Sequence, residues 1–151
     1  MRNILIAFSI ILFTACANDD DTVPDYRVQN EEEIVAYIKA NNLNAEKSSS
    51  GLHYVINNPG TGMQPTAADN VTVAYKGYFT NGEVFDQSDS DGISFGLSQV
   101  IAGWTEGITY FKEGGSGILL IPSHLGYGNA GRGSIPGGAV LIFDVELKSV
   151  N

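Results

Sequence analysis

Residues 71–79 read VTVAYKGYF, and this stretch decides the fold of the chain. Every second position is apolar or glycine and falls on one face of an extended chain: Val71, Val73, Tyr75, Gly77 and Phe79. Alternation with a period of two predicts a β-strand with one buried face. The pair Asn81-Gly82 follows and favours a two-residue hairpin turn, so residues 83–86 are predicted to begin the returning strand.

Three further segments are predicted to be strands. Residues 52–56, LHYVI, are strand-like and stop at the turn signal of residues 57–60, NNPG. Residues 118–121 form an apolar run of buried-strand length. Residues 140–148 alternate again, with four apolar side chains predicted inward and three charged ones outward: Leu141, Phe143, Val145 and Leu147 against Asp144, Glu146 and Lys148.

A single short helix is predicted between these strands. Trp104, Ile108 and Phe111 stand at i, i+4 and i+7, which gives a helix one apolar face. Gly114-Gly115 should end this helix, because glycine tolerates the left-handed cap conformation. Short strands, hairpin turns and one central helix predict an α+β fold, in which an antiparallel sheet is wrapped around the helix. We expect this compact domain to cover residues 51–151.

A second helix is predicted ahead of the domain, within residues 30–50. Asn30 and Glu33 have the spacing of a capping box, which marks the start of a helix. Helical spacing continues through Ile34, Tyr37, Ile38 and Asn41, so the helix should reach about Asn42. A helix of this length is marginal alone and should pack on another element. Residues 44–50 are predicted to be a polar connection.

The first residues are typical of an export signal. Arg2 precedes an apolar run from Ile4 to Phe13 that is too short to span a bilayer. Residues 13–16, FTAC, resemble a bacterial lipobox, whose cysteine is lipidated. We predict a lipoprotein signal peptide over residues 1–15, lipidation of Cys16 and a flexible tether over residues 16–29. Two alternatives stay open: Cys16 as a small buried hydrophobe, and the acidic residues 19–21 as either a surface-export signal or a solvated linker.

Composition excludes several classes of function. The 151 residues are 43% apolar, enough for a core, and carry a net charge of −9, which argues against nucleic-acid binding. A single cysteine permits no internal disulfide. His53 and His124 lie far apart and have no partner at metal-ligand spacing, so no metal and no cofactor are predicted. The sequence holds no recognisable nucleophile and base, so an enzyme of this kind works without covalent or metal chemistry.

Five segments read in order resemble the FKBP-type peptidyl-prolyl isomerases. They are residues 73–77 (VAYKG), 84–86 (VFD), 100–104 (VIAGW), 121–136 (IPSHLGYGNAGRGSIP) and 142–147 (IFDVEL). The resemblance spans about residues 51–150 and implies an FKBP-like fold. It departs from the family at Gly126, where alanine is usual, and at residues 136–138, PGG, which lack the bulkier polar residue often found there.

The resemblance also implies a pocket. Six residues are carried over as catalytic: Tyr75, Phe85, Asp86, Trp104, Tyr127 and Phe143. Four more are carried over as substrate-binding: Phe95, Val100, Ile101 and Ile135. Trp104 is expected at the floor of the pocket. The Tyr127 hydroxyl and the Ile101 backbone N–H are expected to bond substrate carbonyls.

The family's activity is rotation of X–Pro peptide bonds, and this residue set suits that chemistry. The planar amide carries more charge separation than the twisted one and is better solvated by water than by a dry aromatic pocket. Such a pocket therefore favours the twisted form, and no proton transfer is required. The resemblance implies an isomerase acting on proline-containing polypeptides and assisting exported proteins, with macrolide inhibitors of the family as further ligands. Together with the lipid anchor, the resemblance implies that the chain is a lipoprotein of the bacterial outer membrane, in the cell envelope, and faces the periplasm or the cell surface. A peptide-binding or chaperone module with little catalysis is the main alternative, and a purely structural lipoprotein the weaker one.

Overall fold

The computed structural model describes residues 23–151 as two helices and seven strands. The predicted signal peptide, Cys16 and the first part of the predicted tether lie outside these residues. The helices are α1 (Arg27–Ala40) and α2 (Ala102–Gly107). The strands are β1 (Glu46–Lys47), β2 (His53–Asn58), β3 (Asn70–Tyr78), β4 (Val84–Gln87), β5 (Ile93–Gly96), β6 (Ser116–Ile121) and β7 (Leu141–Val150). No helix in the described part is long and apolar enough to cross a membrane.

The strands form one antiparallel sheet in the order β1-β2-β6-β7-β3-β4, with β5 paired to the first half of β3. Strands β3 and β7 are the central pair and run together from Val71↔Val150 to Tyr78↔Ile142. Both show the predicted alternation, since Val71 and Val73 on β3 and Phe143 on β7 are buried on the inner face. The α+β fold with an antiparallel sheet around a short helix is confirmed.

The two faces of the sheet are covered by different helices. The inner face packs on α2 and the 3-10 turn after it, with Trp104, Ile108 and Phe111 all buried in the main core. The outer face packs on α1, where Ile34 joins Leu120 and Ile142 in a second buried cluster. The first three residues of β7 are therefore buried on both faces, because Leu141 and Phe143 belong to the main core and Ile142 meets α1, whereas Asp144 and Glu146 further along are exposed.

The predicted capping box at Asn30 is wrong. Helix α1 begins at Arg27, and Asn30 lies inside it with its backbone N–H bonded to the Tyr26 carbonyl at 2.7 Å. The Asn30 side chain is fully buried and bonds two residues of a distant loop instead of its own helix end. The predicted apolar face is present, since Ile34 is buried and Ile38 packs beside it. The helix ends at Ala40.

Three other local predictions differ from the structure. The hairpin between β3 and β4 has a three-residue loop rather than a two-residue one, because Phe79 N–H bonds Glu83 O and Gly82 N–H bonds Phe79 O. A bulge accompanies it, and Gly82 takes the positive φ of 87°. Helix α2 ends at Gly107, before the predicted glycine stop, and continues only as a 3-10 turn. The predicted polar connection contains the short edge strand β1.

Candidate active site

One cavity of about 750 Å³ opens between the inner face of the sheet, α2 and the loop of residues 122–138. We call this segment the pocket loop. The cavity brings together residues from β3, β4, β5, β7, the start of α2 and the pocket loop. Its lining is mainly aromatic and aliphatic and consists of Tyr75, Phe85, Asp86, Ile93, Phe95, Gln99, Val100, Ile101, Trp104, Tyr127, Arg132, Gly133, Ser134, Ile135 and Phe143.

Trp104 forms the floor of the cavity. Only 5% of its surface is exposed. Its ring centroid lies 5.1 Å from that of Tyr75, at an interplanar angle of 88°, and 5.2 Å from that of Phe143, at 87°. Phe95 adds a third contact at 5.3 Å. The indole N–H has no hydrogen-bond partner among residues 23–151. The indole is therefore held by edge-to-face aromatic contacts, which fix the plane of the floor.

The sheet register builds the wall beside this floor. Phe85 and Phe143 meet edge to face at 5.5 Å and 86°. Both rings pack over Gly77, which lies opposite Phe143 on β7 and opposite Asp86 on β4. A Cβ at Gly77 would come within 2.7 Å of each ring. The absence of a side chain at Gly77 thus leaves the space that the two aromatic rings occupy.

Tyr75 and Asp86 form a hydrogen-bonded pair at the mouth of the cavity. The Tyr75 hydroxyl donates to Asp86 Oδ2 at 2.6 Å. Burial raises the pKa of Tyr75 well above its ordinary value, and the bond to Asp86 and the charges of Asp86 and Tyr127 raise it further. The Tyr75 hydroxyl therefore stays protonated at any physiological pH and is committed to Asp86.

Two donors at the cavity are expected from the family resemblance to bond substrate carbonyls, the Ile101 backbone N–H and the Tyr127 hydroxyl, and neither has a partner within residues 23–151. Ile101 stands at the N-cap of α2, where its carbonyl accepts from Trp104 N–H at 2.9 Å and Thr105 N–H at 3.1 Å. The Thr105 hydroxyl donates to Leu97 O at 2.6 Å and fixes the start of the helix. The Ile101 N–H is one of the first helix amides that no helix carbonyl can satisfy, so it is open to a ligand.

The pocket loop supplies the opposite wall through Tyr127 and Ile135. Arg132 and Ile135 bond each other twice through their backbones, at 2.8 and 2.9 Å. The Arg132 guanidinium lies 5.8 Å from the centroid of the Tyr127 ring, within cation–π range. Gly131 has a φ of 70° and its backbone lies against the Ile135 carbonyl, so no other residue fits there.

All ten pocket residues predicted from the sequence line this single cavity. Their catalytic and substrate-binding roles remain predictions. Five lining residues were missed: Ile93, Gln99, Arg132, Gly133 and Ser134. Ile93 pairs with Val73 on β3, in the four-residue strand β5 that was not predicted from the sequence. Arg132 to Ser134 lie inside the family-like segment of residues 121–136, and this position between Tyr127 and Ile135 is the sequence feature that could have identified them as lining residues.

The histidines lie apart from the cavity. His53 is buried on β2 and bonds Glu31 of α1 at 3.1 Å, while Lys47 bonds the same carboxylate at 2.8 Å. The hydrogen bond from Lys47, opposed by burial and aided by His53, lowers the pKa of Glu31. His124 is exposed and bonds the Ser50 carbonyl at 2.9 Å. Both side chains thus connect the N-terminal segments to the domain.

The known proteins that this chain resembles are FKBP-type peptidyl-prolyl cis-trans isomerases. The family model for FKBP-type peptidyl-prolyl cis-trans isomerase matches residues 61–148. A probable FKBP-type peptidyl-prolyl cis-trans isomerase FkpA of Neisseria meningitidis is 44% identical over 126 residues, covering 80% of this chain and 46% of the relative. The chain spans between 39% and 48% of the length of the curated relatives that it matches.

Two solved structures agree with the fold and the sequence. The crystal structure of FkpA from Escherichia coli superposes with a TM-score of 0.74 at 40% identity, covering 83% of this chain and 61% of that one. The crystal structure of a peptidyl-prolyl cis-trans isomerase of Pseudomonas syringae superposes with a TM-score of 0.72 at 30% identity, covering 85% of this chain and 97% of that one. The chain therefore belongs to the FKBP-type peptidyl-prolyl cis-trans isomerase family.

Proposed function

We propose that this chain catalyses cis-trans isomerisation of X–Pro peptide bonds in other polypeptides. The observation that carries the proposal is the cavity over Trp104, which combines aromatic walls with two unpartnered hydrogen-bond donors. A prolyl ring is compact and apolar and suits an indole floor. The residues around the floor hold one another by aromatic contacts, so the cavity keeps its shape without a ligand.

The walls act by solvating the planar amide less well than water does. Rotation about a peptide bond faces a barrier of about 18–20 kcal/mol because amide resonance must be broken. The planar form has the greater charge separation, so transfer into a dry aromatic cavity disfavours it relative to the twisted form. Only this difference between ground and transition state speeds the reaction. Lowering this barrier by about 4 kcal/mol raises the rate of isomerisation about a thousandfold.

The donors hold the polypeptide while the bond rotates. The Tyr127 hydroxyl and the Ile101 N–H lie on different elements of the cavity, so they bond substrate carbonyls at two points. Binding at two points keeps the X–Pro bond over the floor and converts the bound substrate into a near-reactive conformer. Asp86 orients the Tyr75 ring through the 2.6 Å hydrogen bond, and no step transfers a proton.

The proposal is tested by measuring isomerisation of a proline-containing peptide by NMR exchange, with and without the protein. Phe85→Ala, Asp86→Ala and Phe143→Tyr alter the cavity, and each is expected to lower kcat/KM. Val28→Ala is the control, because Val28 is 72% exposed on α1. A wild-type protein that binds the peptide but exchanges it no faster than buffer would leave only the peptide-binding or chaperone function.

We also propose that the substrates are exported proteins and that a lipid anchor tethers the domain to the bacterial cell envelope. Support comes from the sequence alone: Arg2, the apolar run of residues 4–13 and Cys16 have the order of a lipoprotein signal. The mature chain then begins at Cys16, facing the periplasm or the cell surface. Labelling cells with a fatty-acid probe is expected to mark the wild type and not Cys16→Ser. A protein that is unlabelled and washes off the membrane would refute the anchor.

Macrolide inhibitors of the family are proposed as ligands of the same cavity. Their binding is measured by quenching of Trp104 fluorescence, because Trp104 is the chain's single tryptophan and forms the cavity floor. Quenching that saturates with inhibitor and is weakened in Phe85→Ala is the expected result. The absence of any quenching up to the inhibitor's solubility limit would refute binding in this cavity.

A further inference from the structure

One side chain of α1 contacts both ends of the pocket loop. Asn30 Oδ1 accepts a hydrogen bond from Ser123 N–H at 2.8 Å, and Asn30 Nδ2 donates one to Gly138 O at 2.8 Å. Asn30 is fully buried, so no water competes for these bonds. A primary amide suits this position, because its oxygen accepts and its nitrogen donates, both are attached to the same carbon, and the group carries no charge.

These two bonds complete a closed ring of hydrogen bonds through the loop. Gly128 N–H donates to Ser123 O at 2.8 Å, and Gly138 N–H donates to Gly128 O at 2.9 Å. The ring thus runs from Asn30 to Ser123, to Gly128, to Gly138 and back to Asn30. Gly128 follows Tyr127 directly, so the ring holds the backbone that carries one of the two free donors of the cavity.

The pocket loop depends on such a restraint because its own backbone is permissive. Four of its glycines have positive φ values, between 57° and 75°: Gly128, Gly131, Gly133 and Gly138. Glycine has more conformational freedom to lose than any other residue, so a loop of this kind is ordered only by its contacts. Within the loop, Arg132 and Ile135 bond each other at the tip and Gly131 N–H bonds the Tyr127 carbonyl at 3.2 Å, but these bonds do not join the loop to the rest of the fold.

Two further contacts join the same stretch of chain to the loop. Asn129 Nδ2 donates to Pro24 O at 2.7 Å. The Tyr26 ring packs on Gly138 so closely that a Cβ there would come within 2.5 Å of it. Residues 24–30 therefore meet the pocket loop at its beginning, middle and end, over the face turned away from the cavity lining.

We propose that Asn30 is a positioning residue for isomerisation, which sets the Tyr127 hydroxyl by closing this ring. The proposal rests on the proposed function and adds α1 to the parts of the chain that the reaction needs. Asn30 does not line the cavity, so it acts through Ser123, Gly128 and Gly138. When its amide is removed, the loop ends separate and the Tyr127 hydroxyl leaves the position that suits a substrate carbonyl.

The alternative is that Asn30 only holds α1 on the sheet. Two controls on the same helix separate the possibilities. Ile34→Val removes one methylene from the fully buried cluster with Leu120 and Ile142, which loosens α1 without touching the loop. Asn41→Ala removes the asparagine at the C-cap of the same helix, whose side-chain amide bonds only the Tyr37 carbonyl. Neither control alters the ring.

The first experiment compares kcat/KM and amide hydrogen exchange in wild type, Asn30→Ala and the two controls. Asn30→Ala is expected to lower kcat/KM by about tenfold or more, since a displacement near 1 Å costs up to about a hundredfold. The N–H groups of Gly128 and Gly138 are expected to exchange faster in Asn30→Ala only, while sheet amides keep their wild-type protection. Sheet amides that lose protection in parallel, or an equal loss of activity in Ile34→Val at equal stability, would overturn the positioning role.

The second experiment uses an isosteric variant that is expected to recover with acid. In Asn30→Asp the ionised carboxylate accepts from Ser123 but has no proton for Gly138. Burial raises the pKa of a carboxyl, and the protonated acid regains a donor, so kcat/KM relative to wild type should rise as pH falls from about 8 to about 5. The other ionisable side chains near α1 and the loop, Glu31, His53 and His124, are the same in both proteins, so wild type at each pH is the reference. A constant ratio across this range would overturn the role of the donated bond.

These results also separate the proposal from the function on which it depends. A wild type that fails to speed exchange overturns the proposed isomerase activity itself. An active wild type whose kcat/KM is unchanged in Asn30→Ala overturns only the role of Asn30.

Discussion

The sharpest prediction concerns Gly77, which lies behind the aromatic wall of the cavity. Its backbone lies in β3, paired with Asp86 on one side and Phe143 on the other, and its φ is not positive. Alanine therefore fits the backbone, and the effect of Gly77→Ala comes from its added methyl group alone. That methyl group would lie 2.7 Å from Phe143 Cε1 and 2.7 Å from Phe85 Cε2.

The size of the effect follows from these distances. Carbon atoms in ordinary contact are about 3.5–4.0 Å apart, so each ring must move by roughly 1 Å. Phe143 is 5% exposed and is held by Trp104 at 5.2 Å, while Phe85 is held by Phe79 at 4.9 Å. The free direction is into the cavity. Overpacking of this kind costs about 1–3 kcal/mol of stability, which leaves an ordinary domain folded. Displacement of the wall by roughly 1 Å should lower kcat/KM by roughly tenfold to a hundredfold.

The assay is NMR exchange of a proline peptide, with stability measured by urea unfolding. Gly96→Ala is the matched control, since Gly96 is also extended, at φ −81°, and its added methyl group would meet only the ends of flexible side chains, Asn70 Oδ1 at 3.1 Å and Gln99 Oε1 at 3.6 Å. A folded Gly77→Ala protein with wild-type kcat/KM would refute the view that these two rings must keep their positions. A loss of activity of the same size in Gly96→Ala would refute it as well.

Three other predictions test separate groups. Tyr127→Phe should lower kcat/KM about two- to tenfold, because it removes one hydrogen bond to substrate, and leave urea stability within about 0.5 kcal/mol, because the hydroxyl has no partner in the described chain; an unchanged kcat/KM would contradict its role. The Lys47 hydrogen bond, though opposed by burial, lowers the pKa of Glu31, so this carboxylate stabilises the fold above its ordinary pKa of 4.5 and loses that contribution as pH falls below it. Glu31→Gln should therefore be less stable than wild type at pH 7, with the urea midpoints converging as pH falls below 4.5. Burial and then the bond to Glu106 raise the pKa of Tyr110 to about 12, so its contribution is complete below pH 10 and lost as pH rises to 12; Tyr110→Phe should flatten that part of the stability profile.

The sheet was predictable because the hydrophobic pattern of each long strand fixes which of its side chains face the core. Strands β3 and β7 alternate with a period of two, and a slip of one residue would expose every buried side chain. Asn30 was misread for the opposite reason. Its capping-box spacing is a local pattern, but its bonds go to residues 93 and 108 positions away in the chain. The end of α2 was also misplaced, because the helix tightens into a 3-10 turn after Gly107.

Nine of the ten predicted pocket residues lie in family-like segments, and seven of these nine are on strands or around the start of α2; Tyr127 and Ile135 are in the pocket loop. Those elements fix side-chain direction from sequence position alone. Arg132 and its neighbours were missed because the pocket loop has no periodicity. Its path is set by glycines at positive φ and by bonds across the loop, such as those between Arg132 and Ile135. No spacing in the sequence encodes such a path.

The cavity thus has two halves that are held in different ways, and this difference explains why α1 belongs to the active unit. The floor and the Phe85–Phe143 wall are fixed by the sheet register and by aromatic contacts in the main core. The half with Tyr127 lies on the glycine-rich pocket loop, which contains no strand of the sheet and is held by hydrogen bonds across the loop. Selective stabilisation of a twisted amide requires both halves to stay in place during rotation, since a wall that relaxes around the planar form stabilises both forms equally. The buried amide of Asn30 joins the loop half of the cavity to the helix that packs on the outer face of the same sheet.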